Sequence, residues 1–140
     1  MNKFFGIALI VLALGIGIIP HYTDCLSQGK TITLANGNTQ PMKCHWSAQA
    51  EIGAAIPLGV IGALMIPAKK KENFRTLSIL GIVAGVVVMA IPFKLIGVCA
   101  MPTHVCVTTM KPALLSLGGI VTAASMVGVV LSFRKKQDDF

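Results

Sequence analysis

Read for apolar and polar positions alone, the chain is four long apolar runs separated by short polar stretches. The runs cover residues of about 4–20, 46–67, 77–98 and 112–133. A bilayer core takes about 20 helical residues to cross, and each run reaches or approaches that length with almost no charge inside it. The predicted fold is an all-α membrane protein, a four-transmembrane-helix bundle forming one integral membrane domain over residues 1–140. Polar residues return between the first two runs. There Thr31-Ile32-Thr33-Leu34 precedes Asn36-Gly37, a two-residue hairpin signal. Pro41 limits the returning strand because it has no donor for the ladder. A small β-hairpin is therefore expected in the first outer loop, capping the ends of the helices.

Composition strengthens this picture. Hydrophobic residues make up 54% of the chain and charged ones 12%, too little polar surface to enclose a single soluble core. The runs are rich in Gly and Ala, which suits close helix packing in lipid. Gly15 and Gly17, Gly59 and Gly62, and Gly118 and Gly119 supply small faces, and Gly81 to Gly85 forms a G-x-x-x-G. That motif fits internal packing as readily as a partner subunit. Pro57 and Pro92 are expected to kink their spans, and Pro112 suits a first helical turn. The first run also has the outline of a secretory signal peptide, but it ends in "IIPHYTDC" without a small-x-small cleavage site. A lipidated Cys25 would need small apolar residues before it, and "YTDC" lacks them, so the run reads as a retained span.

Charge sets an expected orientation. Lys69, Lys70, Lys71 and Arg75 occupy the loop of residues 68–76, Arg134, Lys135 and Lys136 the tail of residues 134–140, and Lys3 precedes the first run. Under the positive-inside rule these ends are cytoplasmic. An even number of spans then places both termini inside, in a multi-pass protein of a prokaryotic inner or plasma membrane. The net charge of +7 reads as topology and attraction to anionic lipid, with no nucleic-acid partner implied.

All four cysteines, Cys25, Cys44, Cys99 and Cys106, fall in the outer loops of residues 21–45 and 99–111. An oxidising compartment there permits disulfides. Four cysteines allow three pairings. Local bridges within each loop would clamp the hairpin base, whereas cross-loop bridges would tie the two halves together. Ile-Pro followed by a cysteine recurs after the first and third runs, which suggests two related helical hairpins with their cysteine loops side by side.

"KCHWSAQAEIG" carries the most candidate chemistry. Cys44 and His45 could join His21, Asp24, Cys25, Cys99, His104 and Cys106 in a zinc or copper site. No compact ligand spacing supports that set, and oxidised cysteines would not ligate. Haem held by His21, His45 or His104 lacks a C-x-x-C-H. Four outward cysteines above a four-helix bundle also match the plan of quinone-linked disulfide-forming membrane enzymes, although there is no C-x-x-C pair. Trp46 and Tyr22 fit an interfacial aromatic belt. Glu51 lies about 7.5 Å farther along the helix than Trp46, where a charge must face protein, a polar cavity or the interface. It is expected either to pair with Lys94 or to stand apart while Lys94 snorkels toward headgroups.

"MKCHWSAQAEIG" and "LIGVCAMPTHVC" together resemble a family of small prokaryotic four-span membrane proteins classed as a domain of unknown function, with a Cys-His-Trp motif and four extracytoplasmic cysteines. The resemblance covers nearly the whole chain. It implies an accessory subunit whose helices contact an ABC-type permease of the MacB or FtsX kind. The resulting expectation is a non-enzymatic accessory or structural subunit of a membrane complex, holding no cofactor or metal. A membrane thiol-disulfide oxidoreductase using Cys25, Cys44, Cys99 and Cys106 is the alternative, and a metal- or haem-handling protein the third. His45, Trp46, Glu51 and Lys94 are the interfacial or intramembrane polar residues to place.

Overall fold

The computed structural model describes residues 2–24, 29, 31–41, 43–98, 100 and 102–135. Its order is α1 (Asn2–Thr23), β1 (Thr31–Thr33), β2 (Thr39–Pro41), α2 (Lys43–Met65), α3 (Lys71–Ala90), a π-helical turn (Ile91–Leu95), a second π-helical turn (Cys106–Met110) and α4 (Lys111–Arg134). Among the described residues four helices, counting the π-helical turns with α3 and α4, are long and apolar enough to cross a membrane. The chain is a four-helix membrane-spanning bundle. Its outward residues, such as Val11, Leu14, Ile56, Val60, Val83 and Val130, are apolar and exposed, as a surface solvated by lipid requires.

The helices run past the apolar windows at their polar ends. α3 begins at Lys71, so the basic stretch read as loop supplies its first turn. Glu72 favours the positive end of the helix there, and Phe74 is fully buried. Cys44 and His45 lie in the first turn of α2 rather than in a loop, and Cys106 opens a π-helical turn continuous with α4. Hydropathy misses these turns because headgroups and water solvate the polar side chains of a helix end while its backbone bonds continue.

Two helical hairpins make up the bundle: α1 packs chiefly on α2 and α3 chiefly on α4. Between α1 and α2 the contact is glycine on glycine. A Cβ on Gly6 would lie 2.6 Å from the Gly62 carbonyl oxygen, and one on Gly62 would lie 2.8 Å from the Gly6 carbonyl oxygen. Between α3 and α4, Gly81 faces Ser125 and Gly85 faces Thr122, and a Cβ on Gly118 would lie 3.1 Å from the Gly85 carbonyl oxygen. The G-x-x-x-G is thus consumed by internal packing. Leu9, Ile16, Leu58, Val88, Met110, Leu114 and Val121 fill the core between the hairpins. At the basic end, Phe5 meets Phe74 edge-on with centroids 5.9 Å apart, and the Arg75 guanidinium sits 5.5 Å from the Phe133 ring centroid.

Polar side chains inside such a bundle are costly without partners, and among the described residues only Glu51 and Ser125 Oγ are buried without one. Ser78 donates to the Phe74 carbonyl at 2.9 Å, Thr122 to Gly118 at 2.8 Å and Ser132 to Val129 at 2.7 Å. Each returns its proton to the preceding turn of its own helix.

Pro92 bends its span as expected, through a widened turn. Because Pro92 has no N–H, the regular ladder lapses, and the Ile91 carbonyl instead accepts from both Ile96 and Gly97 N–H at 3.1 Å. Gly97 ends the span at φ +80°, a left-handed conformation that glycine adopts without a Cβ penalty.

The β-hairpin forms, with Ile32 opposite Gln40, but its turn differs from the two-residue expectation. Gly37 N–H donates to the Leu34 carbonyl at 3.0 Å and Leu34 N–H to Asn38 at 2.7 Å. Ala35-Asn36-Gly37 is therefore a three-residue loop in which only Gly37 takes a positive φ, +83°. Its strands are exposed except at Pro41, which is half-buried.

Candidate functional site

The end of the bundle opposite the basic turn of residues 69–71 gathers most of the candidate chemistry. α1 carries its helical bonding one residue past its end: Asp24 N–H donates to the Pro20 carbonyl at 3.0 Å, and Thr23 Oγ1 donates to Ile19 at 2.7 Å. This turns the Asp24 carboxylate toward the first turn of α2. His45 Nδ1 lies 2.8 Å from Asp24 Oδ2, with 17% and 8% of the two side chains exposed. A carboxylate only accepts, so Nδ1 carries the proton and donates, leaving Nε2 as the imidazole's other face.

In sequence Asp24 reads only as a possible metal ligand, and His45 as a metal or haem ligand or an interfacial polar residue. The signal for the pair was weak: residues 21 apart meet only once α1 and α2 form a hairpin. The Trp46 ring stands edge-on to His45, with centroids 5.8 Å apart. Trp46 is 58% exposed and Tyr22 69%.

Cys44 and Cys106 are both buried. Cys106 Sγ lies 3.6 Å from the Thr23 carbonyl oxygen. The second cysteine segment therefore abuts the chain two residues before Cys25. Ser47, three residues past Cys44, donates to the Gly97 carbonyl at 2.5 Å, two residues before Cys99. Cysteines at this end approach disulfide distance, Cys44 among them. Cys25 and Cys99 themselves lie outside the described residues. His104 is buried, and its carbonyl accepts from Val107 N–H at 3.0 Å and Thr108 N–H at 3.1 Å at the entry to the last span.

Below this layer, Glu51 is fully buried and both its carboxylate oxygens lack a hydrogen-bond partner among the described residues. The Glu51–Lys94 pair is absent. Lys94 is exposed on the π-helical turn, whereas Glu51 is fully buried. Lys111 covers the Phe93 ring at 5.3 Å instead. Among the described residues no three His, Cys, Asp or Glu side chains form a group able to hold a metal ion. The proposed ligand set in part falls on Cys25 and Cys99, outside the described residues.

No curated protein and no solved structure matches this chain. A family model described as a domain of unknown function, DUF4418, matches residues 5–131. That match spans nearly all of the four-helix bundle and its cysteine-bearing end, and the chain belongs to the DUF4418 family.

Proposed function

We propose that the outer end is a thiol–disulfide exchange centre and that the protein is a membrane thiol-disulfide oxidoreductase. The observation carrying this reading is the abutment of the two cysteine segments, with Cys106 Sγ against the Thr23 carbonyl and Ser47 bonded to Gly97. Two independent structural staples have no need to touch, whereas electron transfer between two cysteine pairs requires it. In this reading Cys25 pairs with Cys44 and Cys99 with Cys106. The Asp24–His45 contact supports the first pairing by joining the neighbours of Cys25 and Cys44. Buried sulfurs exchange poorly with solvent thiols, so the buried Cys44 and Cys106 are the internal partners of the exchange.

The overall reaction takes two thiols of an extracytoplasmic substrate to a disulfide. Their two electrons and two protons pass to a lipid-soluble quinone, which becomes the quinol. An apolar groove of about 350 Å³ between α1 and α2, lined among others by Leu14, Gly17, Ile18, Ile52 and Ile56, faces the lipid and suits such an acceptor. The cysteine-bearing ends are taken as extracytoplasmic and both termini as cytoplasmic, on the positive-inside argument. The accessory-subunit reading rests on the resemblance alone and would show as copurification with a permease. The test is oxidation of a reduced dithiol peptide by the purified protein in nanodiscs containing a quinone. The expected result is one quinol formed per peptide disulfide, lost when Cys44 and Cys106 are changed to Ser. Peptide that stays reduced overturns the reading.

A further inference from the structure

Among the described residues at this end, Lys43, Lys94 and Lys111 reach the surface and Asp24 has His45 as a partner, but Glu51 does neither. It is 0% exposed with both oxygens unpartnered among the described residues, in a segment surrounded by lipid. Such a carboxyl is costly to bury and marks a functional site when it persists. Its placement is specific. Cys44, Ser47 and Glu51 are all fully buried, and their spacing of three and four residues puts them on one face of α2. Cys44 and Glu51 are separated by about 10 Å of helix rise, with the Ser47 hydroxyl between them. None of the other described titratable groups at this end, Asp24, Cys44, His45, Lys94, His104 and Cys106 among them, bonds to Glu51.

We propose that Glu51 is the proton-exchange group of the cysteine centre, serving it from the interior of the bundle on the face of α2 that it shares with Cys44. This rests on the thiol–disulfide reading. In the exchange step a cysteine thiol gives its proton to the Glu51 carboxylate. The resulting thiolate supplies the electron pair of a new S–S bond to one sulfur of the second pair. The other sulfur of that pair leaves as a thiolate and takes the proton back from Glu51. This leaves a mixed disulfide between the pairs. The second thiol of the attacking pair resolves it in the same way, its proton passing through Glu51 to the sulfur it displaces. One pair thus ends oxidised and the other reduced, with no further reactant.

Coupling between two sites is reciprocal, so the redox state of the cysteines must alter the reactivity of Glu51. Dicyclohexylcarbodiimide partitions into the bilayer and attacks protonated carboxyl groups. It should modify Glu51 of the wild-type protein in nanodiscs at rates that differ severalfold between the oxidised protein and protein reduced with dithiothreitol, as read by peptide mass spectrometry. Equal labelling in both states, or none in either, overturns the proposal. In the dithiol-peptide assay, Glu51→Gln should slow oxidation by about 100-fold, the scale of a lost general acid–base group, and Glu51→Asp should restore part of the rate. If the wild type does not oxidise the peptide, the exchange reading itself fails. If it does and Glu51→Gln is equally fast, only the role of Glu51 falls. Should Glu51→Gln not fold, the carbodiimide comparison on the wild type decides.

Discussion

Replacing Gly6 with Leu should abolish the folded bundle or reduce its stability by at least about 3 kcal/mol, the upper end of overpacking costs. The Cβ alone would sit 2.6 Å from the Gly62 carbonyl oxygen and 2.7 Å from Ile66 Cγ1. The first obstacle is backbone, which cannot rotate aside as a side-chain tip can, so α1 and α2 must part. Without a hydrophobic force between helices in lipid, close backbone approach is what holds such a pair. Gly53 is the control, because a Cβ there meets nothing within 4 Å. Gly53→Ala should be within about 0.5 kcal/mol of the wild type. Unfolding by sodium dodecyl sulfate in mixed micelles measures both. Equal midpoints for the two variants would show that the glycine contact does not organise the hairpin.

The second large effect is expected at the Asp24–His45 pair. Asp24 is 5% exposed, so His45→Ala removes a donor from a carboxylate that water hardly reaches. The expected loss is roughly 2–3 kcal/mol, in the range for hydrogen bonds to charged groups. Exposed ion pairs contribute less than about 1 kcal/mol, and the burial of this pair takes it out of that class. The double variant Asp24→Asn with His45→Ala should lose less than the sum of the single losses. The difference is the coupling energy of the pair. Strict additivity in the same unfolding titration would remove the 2.8 Å contact from the account of how the two cysteine-bearing helix ends are held together.

The bilayer explains which parts of this fold are legible in sequence. Four spans can be read directly because lipid tolerates only apolar runs of crossing length. The hairpin can be read from Asn36-Gly37, although the loop holds three residues, since Ala35 joins it in a turn compatible with negative φ. The helix ends are not legible. Lys71 to Arg75 and Lys43 to His45 are polar, and hydropathy cannot separate a polar helical turn from a loop. Pro92 announces a bend but not its form, a π-helical turn that carries Lys94 outward and leaves Glu51 without it. The Asp24–His45 contact depends on how α1 meets α2, which Gly6 and Gly62 set many residues away. The burial of Glu51 beneath Cys44 follows from a face of α2 whose polar and apolar positions have no strong periodicity, since lipid and core are both apolar.

A linkage map of the four cysteines tests the central claim most directly. Native membranes would be alkylated with the quinone pool oxidised and again with it reduced, and the bridges and free thiols read by mass spectrometry. A thiol–disulfide exchange centre should show bridges Cys25–Cys44 and Cys99–Cys106 when the pool is oxidised. Free thiols or cross-loop bridges should appear when it is reduced. The same two fully formed bridges under both conditions would contradict an exchange role and make the cysteines structural clamps.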